Sequence, residues 1–321
     1  RTARMEVPGW LQIACVDIQG SEPAWPTQLH AEIRALRQNG NGTAVDVAYR
    51  GEARYERRLA RSGQHIVGPV RLQLEQRGKL QNMMVVPSSR PPHHQELGAK
   101  QVDVRVCAVG LNFKDVLNVL VPEEAAYVMG VPLPGADFAG VVTAVPDNAP
   151  DHTDGAPAYR VGDRVFGMAF EKDGMLRSHA AAVSTACLAH MPRGWSFEEA
   201  AQTPMVFLTV QYALGEQAQL KRGERILIQS AAGGVGLAAV QYAQRVGAEI
   251  FATASQPKHA YLRSLGIEHI STSRDAEVFA ADMADMVGER GVDVVLNSLT
   301  SGKYVENAVQ LLALGGRFIE I

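Results

Sequence analysis

Apolar residues recur along this chain with two different periods, and the change of period divides it. From Gly63 onward the stretches "GPVRLQLE", "QVDVRVCAVGL", "GADFAGVVTAV" and "VGDRVFGM" alternate apolar and polar residues between glycines, the period-two pattern of half-buried strands. They predict a compact β-rich domain of about 130 residues. Asn112 to Leu120 reads as a short helix inside it, and Pro87 to Gly98 and Asp147 to Pro157 as polar loops. From Ser196 the period becomes helical. Ser196 and Glu199 have the spacing of a capping box, and Thr203 to Leu214 predicts a second helix.

Strands and helices then alternate. Arg225 to Gln229 predicts a buried strand, a glycine turn follows, and a helix runs to Gly247. Glu249 to Ala254, His269-Ile270, "VDVVLNSL" and "GRFIEI" predict further strands, separated by helices over Lys258–Leu265, Asp275–Val287 and Lys303–Ala313. Five strands joined by helical crossovers predict an open parallel sheet, hence an α/β chain.

The first 62 residues follow neither rhythm. Leu11 to Gly20 reads as one strand and turn, Pro26 to Gln38 as a helix, and Ala44 to Tyr49 as a strand. Arg50, Arg54, Arg57, Arg58 and Arg61 follow, with Glu52 and Glu56 among them, which predicts a solvated, charge-paired face. Two strands and one helix cannot close a core, so this piece is expected to be the tail of a neighbouring domain.

Composition narrows the function classes. A net charge of −3 and 20% charged residues carry no nucleic-acid footprint, and 46% hydrophobic residues is ordinary for a soluble globular protein. No apolar run is long enough to span a bilayer, and no leader pattern opens the chain. Cys15, Cys107 and Cys187 are isolated and odd in number, which points to a reducing, cytoplasmic setting and away from a disulfide frame or a cysteine-rich zinc site.

The candidate chemistry lies in "RILIQSAAGGVGLAAVQYAQRVGAEIFATA", Arg225 to Ala254. A strand, a turn holding Ala231, Gly233, Gly234, Val235 and Gly236, a helix and a second strand form a unit whose turn can bind a pyrophosphate. Unpaired backbone N–H groups and the helix dipole point at the anion. Gly233 lets backbone approach phosphate, and Gly236 lets helix approach strand; Ala231 stands where the fingerprint has its first glycine. Past the second strand, where NAD-binding units usually place a carboxylate, the chain has Thr253, Ala254 and Ser255, followed by Lys258. That pattern suits a 2′-phosphate and favours NADPH, with Arg274 a second candidate cation. The plainer reading of Lys258 is a solvent lysine near a helix start.

Six stretches in order, "GLNFKDVL", "GADFAGVV", "VGDRVFG", "TPMVFLTVQYAL", "AAGGVGLAAVQYA" and "VDVVLNSL", resemble the enoyl reductase domain of type I polyketide synthases. The animal fatty acid synthase domain is similar, and both belong to the medium-chain dehydrogenase/reductase superfamily. The resemblance covers residues 66 to 321. It implies a GroES-like catalytic domain over 64–200 and a doubly wound Rossmann domain over 201–321. The opening, 1–63, resembles the end of the ketoreductase-like structural subdomain that precedes such reductases. The implied reaction is NADPH-dependent reduction of an α,β-unsaturated acyl thioester carried on the phosphopantetheine arm of an acyl carrier domain, with a ketoreductase domain in the same polypeptide. A free-standing quinone or alkenal reductase, or a non-catalytic cofactor-binding scaffold, are the alternatives.

The resemblance places Asn112 and Thr209 beside the nicotinamide and its ribose, and Asn297 ends a strand at the edge where such sheets bind ligands. The plainer readings are a turn asparagine and a helix threonine. Zinc relatives carry Gly-His-Glu where this chain has Gly135-Ala136-Asp137; Cys107 is too far upstream to replace the usual ligand, and His93-His94 reads as loop. No metal is expected. His179 is a polar residue in a strand pattern with no identifiable partner. Many members of the family carry a tyrosine after the Asn112 helix that can protonate Cα. Here Tyr127 is displaced by an altered loop, where it either reaches the site or is a surface aromatic. The resemblance further implies a Gly-Lys pair and an Asp beyond "RFIEI" as proton donors, so a chain ending at Ile321 is expected to be C-terminally truncated, binding NADPH but turning over slowly.

Overall fold

The computed structural model describes residues 15–19, 46–50, 53–56, 68–88, 97–122, 125, 133–146, 159–169, 174–299 and 303–321. The chain divides into two units, Arg1–His65 and Ile66–Ile321. In the first, β1 (Cys15–Gln19) pairs in parallel with β2 (Asp46–Arg50), which pairs antiparallel with β3 (Ala53–Glu56). β3 lies inside the arginine-rich run read from the sequence as a solvated face: Ala53 and Tyr55 alternate with Arg54 and Glu56, which also suits a strand. The helix expected over Pro26–Gln38 lies outside the described residues.

The second unit opens with a hairpin of β4 (Val70–Leu74) and β5 (Met83–Pro87). The β-rich part is built on β6 (Gln101–Gly110), β7 (Asp137–Ala144), β8 (Arg164–Met168), β9 (His179–Ser184) and β10 (Leu188–His190), in the antiparallel order β10-β8-β7-β6-β9. Its core collects Val102, Val104, Phe138, Val142, Val165 and Val183, inward positions of these strands, with Met175 from the segment before β9. His179, given no partner from sequence, lies 3.1 Å from the Ser178 hydroxyl through Nδ1. Helix α1 (Phe113–Leu120) follows β6. Helices α2 (Phe197–Ala201) and α3 (Pro204–Val210) lead to the second layer, and the Ser196–Glu199 capping box is formed in both directions.

The parallel sheet has the order β13-β12-β11-β14-β15, from β11 (Arg225–Ile228), β12 (Glu249–Ala254), β13 (His269–Thr272), β14 (Val292–Asn297) and β15 (Leu312–Glu320). Helices α4 (Gly234–Val246), α5 (His259–Ser264), α6 (Ala276–Val287) and α7 (Tyr304–Gln310) connect them. α4 is buried on one face of the sheet with Ile226, Ile228, Ala252 and Leu296; α6 and α7 bury Phe279, Met283 and Ala308 on the other with Leu227, Phe251 and Val295. The β-rich part and the open parallel sheet are those expected from the sequence pattern, and together they form the GroES-like plus Rossmann α/β fold that the resemblance implied. Among the described residues no helix is long and apolar enough to cross a membrane.

Two helices differ from expectation. Thr203–Leu214 is not one α-helix: after Val210 the chain widens into π-helical turns over Gln211–Gln217. Gly215 lies within these turns, and a Cβ there would meet Gln211 Nε2 at 2.6 Å and the Tyr242 hydroxyl at 2.9 Å. The helix expected from Lys258 starts as a 3-10 turn, Gln256–Lys258, with Pro257 in its first turn, and becomes α-helical only at His259.

Candidate active site

Two loops of the β-rich part meet in one hydrogen-bond network. Asn112, which follows β6 and caps α1, donates its backbone N–H to Asp115 Oδ2 at 2.7 Å. Asp115 is buried, and its Oδ1 accepts from Gly135 N–H at 2.7 Å, fixing the entry to β7. Asn112 Nδ2 donates to Asp137 Oδ2 at 2.9 Å, and Met205 N–H, in the first turn of α3, donates to the same oxygen at 3.3 Å. The "GLNFKD" and "GADFAG" stretches are thus two halves of one network, which α3 joins from the other layer.

Asp137 is 1% exposed, and its Oδ1 has no hydrogen-bond partner among the described residues. Burial pushes its carboxyl up to about 6; the bonds from Asn112 and Met205 pull it back down, and the nearby Asp115 adds a smaller upward push. Sequence reading noticed Asp137 only as a residue that is not a zinc ligand. The signal that could have found it was the repetition of an acidic residue in both loop motifs.

Beside this network a cleft of 740 Å3 runs between the β-rich part and the parallel sheet. Leu111, Asn112, Phe113 and Asp137 form one wall, Thr203, Val206 and Phe207 of α3 a second, and Gly234, Val235 and Gln241 of α4 the third. Leu111 and Phe113 are largely exposed there, at 71% and 76%. The structure therefore brings Asn112, Gly234 and Val235 together. Thr209 is half-buried on α3 and does not line the cleft.

The glycine turn is held by β12. Ser230 takes φ +51, donates its N–H to Thr253 Oγ1 at 3.0 Å, and Ala231 N–H donates to the Thr253 carbonyl at 2.8 Å. The strained turn position falls on Ser230, one residue before fully buried Ala231. Thr253, grouped in the sequence reading with the residues next to the ribose, is buried and commits its hydroxyl to the turn. Gly233 caps α4, whose first N–H groups have no partner within the helix.

Ser255, Lys258 and Arg274 follow the carboxyl ends of two adjacent strands, since β12 and β13 pair Ala254 with Thr272 and Ser273 N–H donates to the Ala254 carbonyl at 3.1 Å. Lys258 and Arg274 are exposed. Asn297 ends β14, next to β11; it is fully buried, and neither amide atom has a hydrogen-bond partner among the described residues. Tyr127 and His93-His94 lie outside the described residues. Among the described residues no three His, Cys, Asp or Glu side chains gather as a metal site. Asp137 stands where zinc relatives have a carboxylate, but it is already bonded to two N–H donors, and the donor set around it does not fit zinc.

The family model for the alcohol dehydrogenase GroES-like domain matches residues 98–209, and that for the zinc-binding dehydrogenase matches residues 234–321. The spectinabilin polyketide synthase system protein NorB of Streptomyces orinoci is 43% identical over 248 residues, 76% of this chain and 10% of that protein. The chain thus spans about a tenth of that multienzyme. The solved CurK enoyl reductase is 41% identical with a TM-score of 0.69, over 78% of this chain and 73% of the other. The CurF ER cyclopropanase from the curacin A pathway is 37% identical with a TM-score of 0.68, over 79% and 74%. The order of motifs, the two layers they build and the likeness to solved reductases agree: this chain belongs to the enoyl reductases of type I polyketide synthases, in the medium-chain dehydrogenase/reductase superfamily.

Proposed function

We propose that the chain reduces the α,β double bond of an acyl thioester held on the phosphopantetheine arm of an acyl carrier domain, with NADPH as reductant. The observation that carries this is the cleft, walled on one side by the turn at the start of α4 and on another by Asn112, Leu111 and Phe113. A narrow cleft open at a nucleotide-binding helix, with apolar side chains exposed along it, suits a cofactor and an extended acyl chain side by side. When bound, reduced nicotinamide supplies a hydride to Cβ and is oxidised. The first-turn N–H groups of α4 would hold the pyrophosphate and Asn112 would orient the nicotinamide half; the Asn297 amide, without a partner among the described residues, is further capacity of that kind, and Thr209, which does not line the cleft, takes no part. The electron pair displaced from the double bond is carried towards the thioester oxygen until a proton completes Cα. Tyr127 is the candidate within this chain for that proton. A neighbouring ketoreductase domain and the acyl carrier are the expected partners.

Ser255, Lys258 and Arg274 form the 2′-phosphate end. Lys258→Ala should weaken NADPH binding by about 1 to 3 kcal/mol, the size of a charge-assisted bond, and leave NADH nearly unchanged. Cofactor titrations followed by fluorescence decide it, and equal losses for both cofactors would remove the phosphate assignment. The reaction is proposed to draw on no metal: elemental analysis should give zinc well below one per chain, and one tightly bound zinc per chain overturns this. NADPH oxidation with crotonyl-pantetheine tests the proposal as a whole, and a protein that binds NADPH but never oxidises it on enoyl thioesters is a scaffold.

A further inference from the structure

Asp137 has no part in the reading above, yet it stands in the cleft wall. Its backbone pairs with Gly110 on one side and Met168 on the other, which any strand residue could do. Nothing in that register asks for a charge. The side chain is nonetheless an almost fully buried carboxylate with one oxygen unmet and a second carboxylate, Asp115, nearby. A buried charge so placed opposes folding. What it does supply is two specific bonds through Oδ2, to Asn112 Nδ2 and to Met205 N–H.

An asparagine amide can present either its oxygen or its nitrogen to a neighbour, and only its partners decide which. An ionised carboxylate accepts and never donates, so it admits Nδ2 alone. We infer that Asp137 is a positioning residue, which turns Nδ2 of Asn112 towards β7, fixes the end of that amide available to the cleft, and ties it to the first turn of α3. The inference rests on the proposed role of Asn112 at the nicotinamide half of the cofactor. α3 itself lines the same cleft through Val206, whose Cγ1 lies 3.4 Å from a Cβ built on Gly234. Asp137 thereby sets Asn112 and the nucleotide turn in one frame.

A double-mutant cycle read by NADPH affinity tests this. Asn112→Ala and Asp137→Ala should each weaken NADPH about tenfold, the scale of one buried hydrogen bond, and the double variant should be no weaker than the worse single one. The same proteins should bind 2′,5′-ADP, which lacks the nicotinamide half, with unchanged affinity. Asp137→Asn, whose amide oxygen the Met205 N–H would hold in the place of Oδ2, should recover most of the loss. If Asp137→Ala fails to fold, seen as loss of the cooperative thermal transition, Asp137→Val as a better strand former takes its place in the cycle. Additive losses, or losses shared by 2′,5′-ADP, overturn the inference and leave Asp137 a fold residue. A silent Asn112→Ala overturns the role of Asn112 itself, and the inference falls with it.

Discussion

Gly236→Ala should cost the nucleotide-binding layer about 3 kcal/mol or more of stability and abolish measurable NADPH binding. A Cβ at this position would lie 2.5 Å from the Ser230 carbonyl oxygen and 2.6 Å from Ala231 Cα. Both are backbone atoms of a turn already fastened to Thr253, so neither can swing aside as a flexible side chain would. The helix would have to lift off the turn, and with it the N–H groups proposed to hold the pyrophosphate. Gly234→Ala is the control two residues away. Its Cβ would rest 3.4 Å from Val206 Cγ1, an ordinary contact, and alanine is the better helix former, so stability should hold or rise by up to about 1 kcal/mol. Thermal melts of both variants, with NADPH titrations, check the contrast. Equal effects at the two positions would contradict the close packing of α4 on its turn.

The second large effect is the pH dependence contributed by Asp137. Its carboxyl is pushed up to about 6 in the folded chain, mainly by burial, against about 3.9 when unfolded. Between those values the folded state holds the proton and the unfolded state has lost it, so stability falls as pH rises and stays reduced above about 6. Asp137→Asn keeps an acceptor for Asn112 and Met205 but cannot ionise. Its stability relative to the unmodified protein should therefore improve between pH 5 and pH 8 by about 1 to 2 kcal/mol. Denaturant unfolding at the two pH values measures this. A difference independent of pH would mean that Asp137 titrates as an exposed carboxylate does, and its burial would no longer be the dominant influence.

Much of the fold was legible because period and punctuation agree over long stretches. β8 and the first half of β6 alternate, and Gly247 in the left-handed conformation ends α4 where the sequence placed its end. The five parallel strands followed from regular strand–helix alternation; their order in the sheet did not. What was missed has local causes. β5 is a five-residue strand whose run of methionines and valines shows no alternation, with Met84 and Val85 both exposed. The π-helical turns after Val210 keep the apolar spacing of a helix, so periodicity does not report them.

The site was less legible than the fold. The glycine turn announces itself by composition, but its strained position lies on Ser230, a residue type that does not signal positive φ. Asp137 was invisible because its meaning is a bond to Asn112, twenty-five positions away in sequence. Thr253 shows the same limit: read as a place where a carboxylate is absent, it is a buried hydroxyl holding the turn closed.

The central claim is that this cleft delivers a hydride from NADPH to Cβ of an enoyl thioester. The most direct measurement uses NADPH deuterated at the transferred position, with crotonyl-phosphopantetheine on an acyl carrier domain and, in parallel, a simple quinone. The account predicts a saturated butyryl product carrying one deuterium at Cβ, found by mass spectrometry with fragmentation, formed faster with NADPH than with NADH and faster than quinone reduction. Deuterium lost only to the quinone, with the crotonyl group unchanged, would contradict it.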